Sequence, residues 1–388
     1  MRERLLRFHR CYFYLLLALA AWVYLAPSSL ACAETAPKVT VFAPNKVSPG
    51  VTLVPLMREK IVLLSESGEV LNTWPIDATR ARLLKDGTLL VLHASNWGRN
   101  IKKWRKLKRN IRIYDKDSKV LWEHVADDFV HHDIRETAAG GFIFLQRSFV
   151  PEEKKQGIKD LKRRAVARIR SDAVVEIDRQ GNTLFEWPFW ESIDLNYCGS
   201  DPCRPDDWTH ANTVAPLPPN KWYDQGHTAF KPGNIMVMPR SFSTILIIDR
   251  ESKKIVWEYS GDYKGGLDKS HEPHMIPPHL PGGGNVLVFD NGTFKHPKES
   301  YILEINPLTK EIVWKYDRGE KFFSKTRGAV QRLPNGNTLI SEDNRGRCFE
   351  ITPAGEMVWL FEDDYEINRC ERFPSNYFKK EVSPPANR

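Results

Sequence analysis

ILIIDRESKKIVWEY, residues 245–259, is the stretch whose reading decides the fold. Four large apolar residues run into a polar turn, and a second short strand follows with Trp257 on it. The unit recurs as KIVLLSESGEVLNTW (60–74), IRIYDKDSKVLWEH (111–124), AVVEIDRQGNTLFEW (173–187), ILEINPLTKEIVWKY (302–316) and CFEITPAGEMVWLFE (348–362). Each first strand carries period-two apolar residues and ends in turn formers, the signature of a hairpin. The tryptophans fall at one position or two residues later, which is the same strand face. Their expected job is packing between neighbouring repeats.

A second unit alternates with the first: LLKDGTLLVL (83–92), the degenerate TAAGGFIFL (137–145), FKPGNIMVM (230–238), HLPGGGNVLVF (279–289) and RLPNGNTLI (332–340). Gly or Asn at the centre marks a hairpin turn. Two hairpins per repeat make a four-stranded sheet. Tryptophan-bearing strands lie 45 to 70 residues apart, and the lower end of that range is a propeller-blade period. Six copies predict an all-β fold, a six-bladed β-propeller of four-stranded blades with long inter-strand loops. Function is then expected at the mouth of the central channel.

Four arginines precede an apolar run from Cys11 to Ala26, and Ala31–Ala33 reads Ala-Cys-Ala. Charged, apolar, then small is the order of an export signal. The run has 16 residues, short of the roughly 20 of a spanning helix. Residues 1–33 are therefore read as a signal peptide or membrane anchor, with membrane attachment through residues 11–26 left open. Residues 34–388 are read as the propeller domain, exported to the periplasm or cell envelope. Net charge is +8, and without the first 33 residues it is +5. The basic excess sits in GRNIKKWRKLKRNIR (98–112) and KKQGIKDLKRRAVARIR (154–170). Such runs are usually solvated faces, with contact to an anionic membrane surface the next reading. No nucleic-acid module is recognisable, so nucleic acid is not an expected partner. Cys198 and Cys203 lie in YCGSDPCRP, where an oxidising compartment predicts a local disulfide. Cys348 and Cys370 are candidates for a second.

Polar residues that do not suit buried strands stand just before several Gly-turn hairpins. They are His132 in VHHDIRE, His274 in EPHMIPP, and Thr326–Arg327 in KTRGAVQ. His210 and Asn212 stand in DWTHANTV, and Arg240 ends a strand in MPRSFST. One register in successive blades predicts that these side chains converge on one pocket. Of the neighbours His271, His274 and His279, counting back from the hairpin points His274 inward, leaves His271 in a loop and exposes His279. Two arginines would repel a cation, so no metal is expected. Histidines, arginines and an amide suit a sulfuryl, phosphoryl or carboxylate group.

These segments resemble the arylsulfate sulfotransferase family, exported six-bladed propellers that move a sulfuryl group between phenols without a nucleotide donor. DWTHANTV is similar to the family's Asp-Trp-aromatic-His-x-Asn-Ser/Thr-Val segment. NIMVMPRSFSTILIID resembles its strand ending in Arg. EPHMIPPHLPGGGNVLVFDNG resembles its Gln-His-Asp-Ala segment followed by a Phe-Asp-Asn-Gly turn. TRGAVQRLPNGNTLI resembles its last-blade hairpin, and HHDIRE its early His-Asp/Glu segment. The resemblance covers roughly residues 60–375. It implies a transiently sulfated nucleophile at His274, with His210 and Asn212 binding the sulfuryl oxygens or handling the proton, and His132 as a further catalytic residue. It places Asn212, Arg240, Thr326 and Arg327 on the substrate, aryl sulfates and phenols as substrates, and no cofactor. Pro273 and Met275–Ile276 depart from the family's Gln and Asp-Ala. Two other readings keep the propeller: a non-catalytic exported protein that binds anionic or aromatic ligands or a protein partner, and a quinoprotein dehydrogenase. The latter are commonly eight-bladed and need a quinone and calcium, against six units counted here.

Overall fold

A computed structural model describes residues 38–374 except Glu59; the segment read as a signal or anchor lies outside them. Among the described residues no helix is long and apolar enough to cross a membrane. Six antiparallel sheets form the blades, five of four strands and one of five. In blades 2 to 6 the chain enters on the innermost strand and works outward. Those inner strands are Arg80–Leu83, Val130–Glu136, Ala211–Pro216, His271–Met275 and Ala329–Arg332. All therefore run in the same sense along the channel.

Blade 1 is built differently. Its first three strands in sequence, Val51–Leu56, Lys60–Leu64 and Val70–Trp74, are its outer three. The innermost, Glu371–Phe373, comes from the far end of the chain and pairs Val51 with Phe373. This is why the sequence holds six tryptophan hairpins but five Gly-turn hairpins. The N-terminal strand Lys38–Phe42 adds a fifth, outer strand to blade 6.

The tryptophans form a belt. Each indole N–H donates to a backbone carbonyl in the next blade: Trp74 to Asp115 (2.8 Å), Trp122 to Arg179 (2.9 Å) and Trp187 to Lys253 (2.9 Å). Trp257 reaches Pro307 (2.8 Å), Trp314 reaches Pro353 (3.0 Å), and Trp359 reaches Glu66 (2.8 Å), back in blade 1. A buried indole needs an acceptor for its N–H, and the outer hairpin turn of the next blade supplies one six times over. A second closure lies inside: the Cys348–Cys370 disulfide ties blade 6 to the start of the inner strand of blade 1.

The channel wall is less regular. Ladders are interrupted between His271 and His274, between Ala211 and Val214, and between His131 and Ile134. At these kinks non-glycine residues hold left-handed φ: His132 (60°), His210 (44°) and Glu272 (53°), joined in blades 6 and 1 by Arg327 (61°) and Arg369 (57°). Such conformations cost on the order of 1–3 kcal/mol each and persist only when neighbours hold them. The holds are visible: the Glu272 N–H donates to Thr213 Oγ1 (3.0 Å), and the Arg369 N–H donates to the Asp343 carboxylate (3.1 Å).

Candidate active site

The kinks swing side chains into one mouth of the channel, around a cavity of about 240 Å³. His132, His210, Arg240, Thr326 and Arg327 line it, as the register predicts; His131, Arg170 and His271 join them. Cα positions along a strand advance about 3.3 Å per residue. His274, three residues beyond His271, therefore falls well down the channel, on a separate cavity of about 180 Å³. His274 does not share a pocket with His132, His210 and Arg240. The cause is local: the blade 5 hairpin loop spans 276–285, whereas those of blades 2, 3 and 6 span 84–88, 137–141 and 333–337. Counting back from the Gly turn across that longer loop and the bulge lands on a histidine below the mouth. His279 is exposed in this loop.

His271 is 2 % exposed, and its Nδ1 lies 2.6 Å from Asn291 Oδ1. The tautomer follows from the network. Asn291 Nδ2 donates to the carbonyls of Ser324 and Arg327, both at 2.7 Å, so its oxygen must face the imidazole. His271 then carries its proton on Nδ1 and leaves the Nε2 lone pair free. Burial, with Arg369 and Arg240 nearby, holds its pKa well below the ordinary value. Asn291 belongs to the FDNG stretch, which reads as a turn in sequence.

His131 Nδ1 and His132 Nδ1 lie 2.8 Å apart, and His131 Nε2 lies 3.1 Å from Asp172 Oδ1. A proton on His131 Nε2 makes its Nδ1 the acceptor, so His132 donates from Nδ1 and also keeps a bare Nε2. Desolvation, then His131 and His210, push His132 well below its ordinary pKa. Its ring packs edge-on against His210, centroids 5.3 Å apart. His210 differs in its partner: Nδ1 lies 2.5 Å from Asp207 Oδ2, a carboxylate that can balance an imidazolium.

Arg240 follows the strand Ile235–Pro239, and its N–H donates to the His210 carbonyl (3.2 Å). Its side chain is 8 % exposed, yet its guanidinium makes no side-chain hydrogen bond or close ion pair among the described residues, with Asp268, Asp207 and Asp201 acting on it only from further off. Burial, then Arg204, lower its pKa. A buried guanidinium aimed into a cavity is a ready anion clamp. Arg327 donates from Nη2 to Glu366 (2.7 Å), and the Thr326 N–H to Asn344 Oδ1 (2.8 Å). Asn212 is not on the cavity. It is fully buried and spends its amide on Ser270 O (2.8 Å) and Thr213 Oγ1 (2.9 Å), tying blade 4 to blade 5.

Both basic stretches flank this mouth. Arg99 and Arg170 line the cavity itself. Lys102, Arg105, Lys106, Lys108, Lys154, Lys159 and Lys162 of these stretches are exposed. Cys198 and Cys203 are bridged in the blade 3 to blade 4 crossover.

The propeller is similar to a protein of unknown function from Bacteroides caccae, at 14% identity and TM-score 0.51, over 83% of this chain and 98% of that one. A streptogramin B lyase matches at 12% identity and TM-score 0.46, over 89% and 96%. A virginiamycin B lyase from Staphylococcus aureus matches at 11% identity and TM-score 0.42, over 87% and 88%. The first of these likenesses bears on fold alone. No curated protein matches the chain. The model of the family described as arylsulfotransferase matches residues 83–364. That span runs from the inner strand of blade 2 into blade 6 and takes in every histidine and arginine of the mouth, and the chain belongs to the arylsulfotransferase family.

Proposed function

We propose that the protein moves a sulfuryl group from an aryl sulfate to a phenolic acceptor through a sulfated histidine, and that His271 is the nucleophile. One observation carries the assignment: of the mouth imidazoles, His271 is the one whose Nδ1 is held by a neutral amide. A nucleophile must stay unprotonated, and an amide partner, unlike a carboxylate, does not favour the imidazolium. His271 Nε2 attacks sulfur, the S–O bond to the aryl group breaks, and the bonding pair leaves with the phenolate oxygen. Phenol has a pKa near 10, so its departure needs a proton. His210, backed by Asp207, supplies it, and such assistance is typically worth 10²- to 10⁴-fold. Arg240 holds the sulfuryl oxygens while charge shifts across them. In the second half the acceptor hydroxyl returns its proton to His210, its oxygen attacks sulfur, and the N–S bond breaks to restore the Nε2 lone pair. Every step closes on groups of this chain and the two substrates. The two disulfides support the oxidising, exported setting expected from the N-terminal segment.

Mixing the protein with nitrophenyl sulfate and no acceptor should add one sulfuryl group to the peptide containing His271, and phenol should discharge it. Asn at 271 should remove adduct and turnover together. An adduct that survives there but is lost in His274→Asn would transfer the role to the deeper histidine. Binding of aryl sulfates without any turnover would leave a ligand-binding propeller.

A further inference from the structure

Behind the mouth the channel is closed by a buried ionic cluster. Glu272 Oε1 accepts from Arg80 (2.8 Å), Arg135 (2.9 Å) and Arg82 (3.2 Å), and its Oε2 accepts from Arg369 (2.9 Å). Asp133 meets Arg80 and Arg135 at 3.3 Å and Arg82 at 3.2 Å, and Glu371 pairs with Arg82 at 2.8 Å. Four guanidiniums thus face three carboxylates, and one positive charge is left over. Burial opposes ionisation of Glu272, yet Arg80, Arg369, Arg135 and Arg82 hold it well below the usual carboxylate range. The surplus cannot be removed by protonating an acid, because that would enlarge it. An uncompensated buried charge costs several kcal/mol.

The surplus sits beside the deeper cavity. Arg80, Arg82, Arg135 and His274 line it with the cluster carboxylates Glu272 and Glu371, together with Arg332, which is neutralised by Glu304 at 2.7 Å. Arg80 is 2 % exposed, and its Nη1, itself buried, has no hydrogen-bond partner among the described residues. His274 donates from Nδ1 to the Glu272 carbonyl (2.9 Å), so its ring is tied to the cluster and its Nε2 is left to the cavity. We infer that this cavity is a second binding site, for a small oxyanion of the sulfate, phosphate or carboxylate class, whose charge completes the arginine cluster. At about 180 Å³ it admits such an ion but is small for a drug-sized ligand. With Nδ1 donating, the neutral His274 ring offers the cavity only a lone pair, so the arginines hold the ion; the site is separate from the mouth and does not depend on sulfuryl transfer.

Thermal unfolding in sodium sulfate, phosphate and acetate, against sodium chloride at equal ionic strength, tests it. The oxyanion should raise Tm saturably, by roughly 3–6 °C at about a hundredfold excess over Kd, and the three salts tell which member of the class fits. Arg240→Gln, which disables the mouth, should keep the whole response. Leu280→Glu, on the wall of the deeper cavity, supplies an internal carboxylate and should lose it; His274→Glu serves the same end if that variant does not fold. No excess over chloride with any of the three salts, loss of the response in Arg240→Gln, or its persistence in a folded carboxylate variant would each overturn the site.

Discussion

The tryptophan belt and the channel mouth belong to the same six blades and obey opposite rules. In the belt each blade does the same thing: one indole, one N–H, one carbonyl of the next blade, six times. At the mouth no two blades do the same thing. Blade 3 offers a histidine pair, blade 4 a histidine on a carboxylate, blade 5 a histidine on an amide, and blade 6 an arginine. Repetition gives the belt its strength, because identical joints close a ring without a weak one. Difference suits the mouth to the proposed chemistry, because a nucleophile, a proton carrier and an anion clamp need unlike surroundings. The division predicts that damage to the belt costs stability and leaves the chemistry of surviving molecules intact. Damage to the mouth should do the reverse.

The largest effect belongs to the mouth. His271→Asn should lower turnover of an aryl sulfate by more than about 10⁴-fold with Tm little changed, since the amide has no lone pair fit to attack sulfur. His274→Asn should stay within a few-fold of wild type in the same assay. Equal loss in both would erase the distinction between the two cavities. The belt's counterpart is Trp359→Ala. Trp359 is fully buried and closes blade 6 on blade 1; removing a buried Trp typically costs 3–5 kcal/mol. Chemical denaturation should show that loss, with kcat unchanged in the folded fraction.

The same contrast explains what the sequence discloses. A period-two strand, a polar turn and a tryptophan are local patterns, so blade number and belt register are legible residue by residue. Even the missing sixth Gly-turn hairpin is in the sequence, as an absence that the strand Glu371–Phe373 fills. The mouth is legible in kind, since histidines and arginines before inner strands point to an anion. It is not legible in register. His271 and Glu272 exchange inward roles through a left-handed residue and a bulge, and a bulge breaks period-two counting. The partners are harder still. Asn291 sits in a Phe-Asp-Asn-Gly context that any turn would use, and Asp207 reads as one more loop acid. Asn212 looked like a ligand residue but joins two blades; a buried amide serves either end, and only the packing tells which.

Arg240 puts the two rules in conflict at one residue. Its buried guanidinium makes no side-chain hydrogen bond or close ion pair among the described residues, and on the proposed reading Arg240→Gln should cut kcat/KM by about 10²- to 10³-fold while Tm holds or rises. A matching fall in Tm would mean the arginine is structural. The inner closure can be tested next. The Cys348–Cys370 bridge spans 22 residues, which the chain-entropy model values at about 3 kcal/mol, against about 2 kcal/mol for Cys198–Cys203, five residues apart. Cys348→Ser with Cys370→Ser should therefore lower stability more than the paired serine variant at 198 and 203. The reverse order would show that ring closure does not rest on blade 6.

The smallest expected effects are those of solvent on the mouth. His132 and His271 are held well below their ordinary pKa by burial. Both therefore bind fewer protons folded than unfolded, so their contribution to stability is whole above about pH 6.5. It should fade as pH falls from there through their folded values. The nucleophile stays neutral over the same range, so the acid limb of kcat/KM should lie below about pH 6.5. An acid limb at or above that value would count against His271 as the attacking imidazole. Ionic strength acts through the basic collar. Lys102, Lys106 and Lys108 stand outside the chemistry, and a cationic rim raises the encounter rate of an anionic donor. Added salt should lower kcat/KM for an aryl sulfate a few-fold between roughly 0.01 and 0.15 M, as the Debye length falls from about 30 to 8 Å. The uncharged phenolic acceptor should show no such slope. Charge reversal at Lys102, Lys106 and Lys108 together should flatten the donor's slope without moving kcat. A donor slope untouched by that triple variant would place the field in Arg99, Arg170 and Arg240, inside the mouth, and reduce the collar to a solvated face.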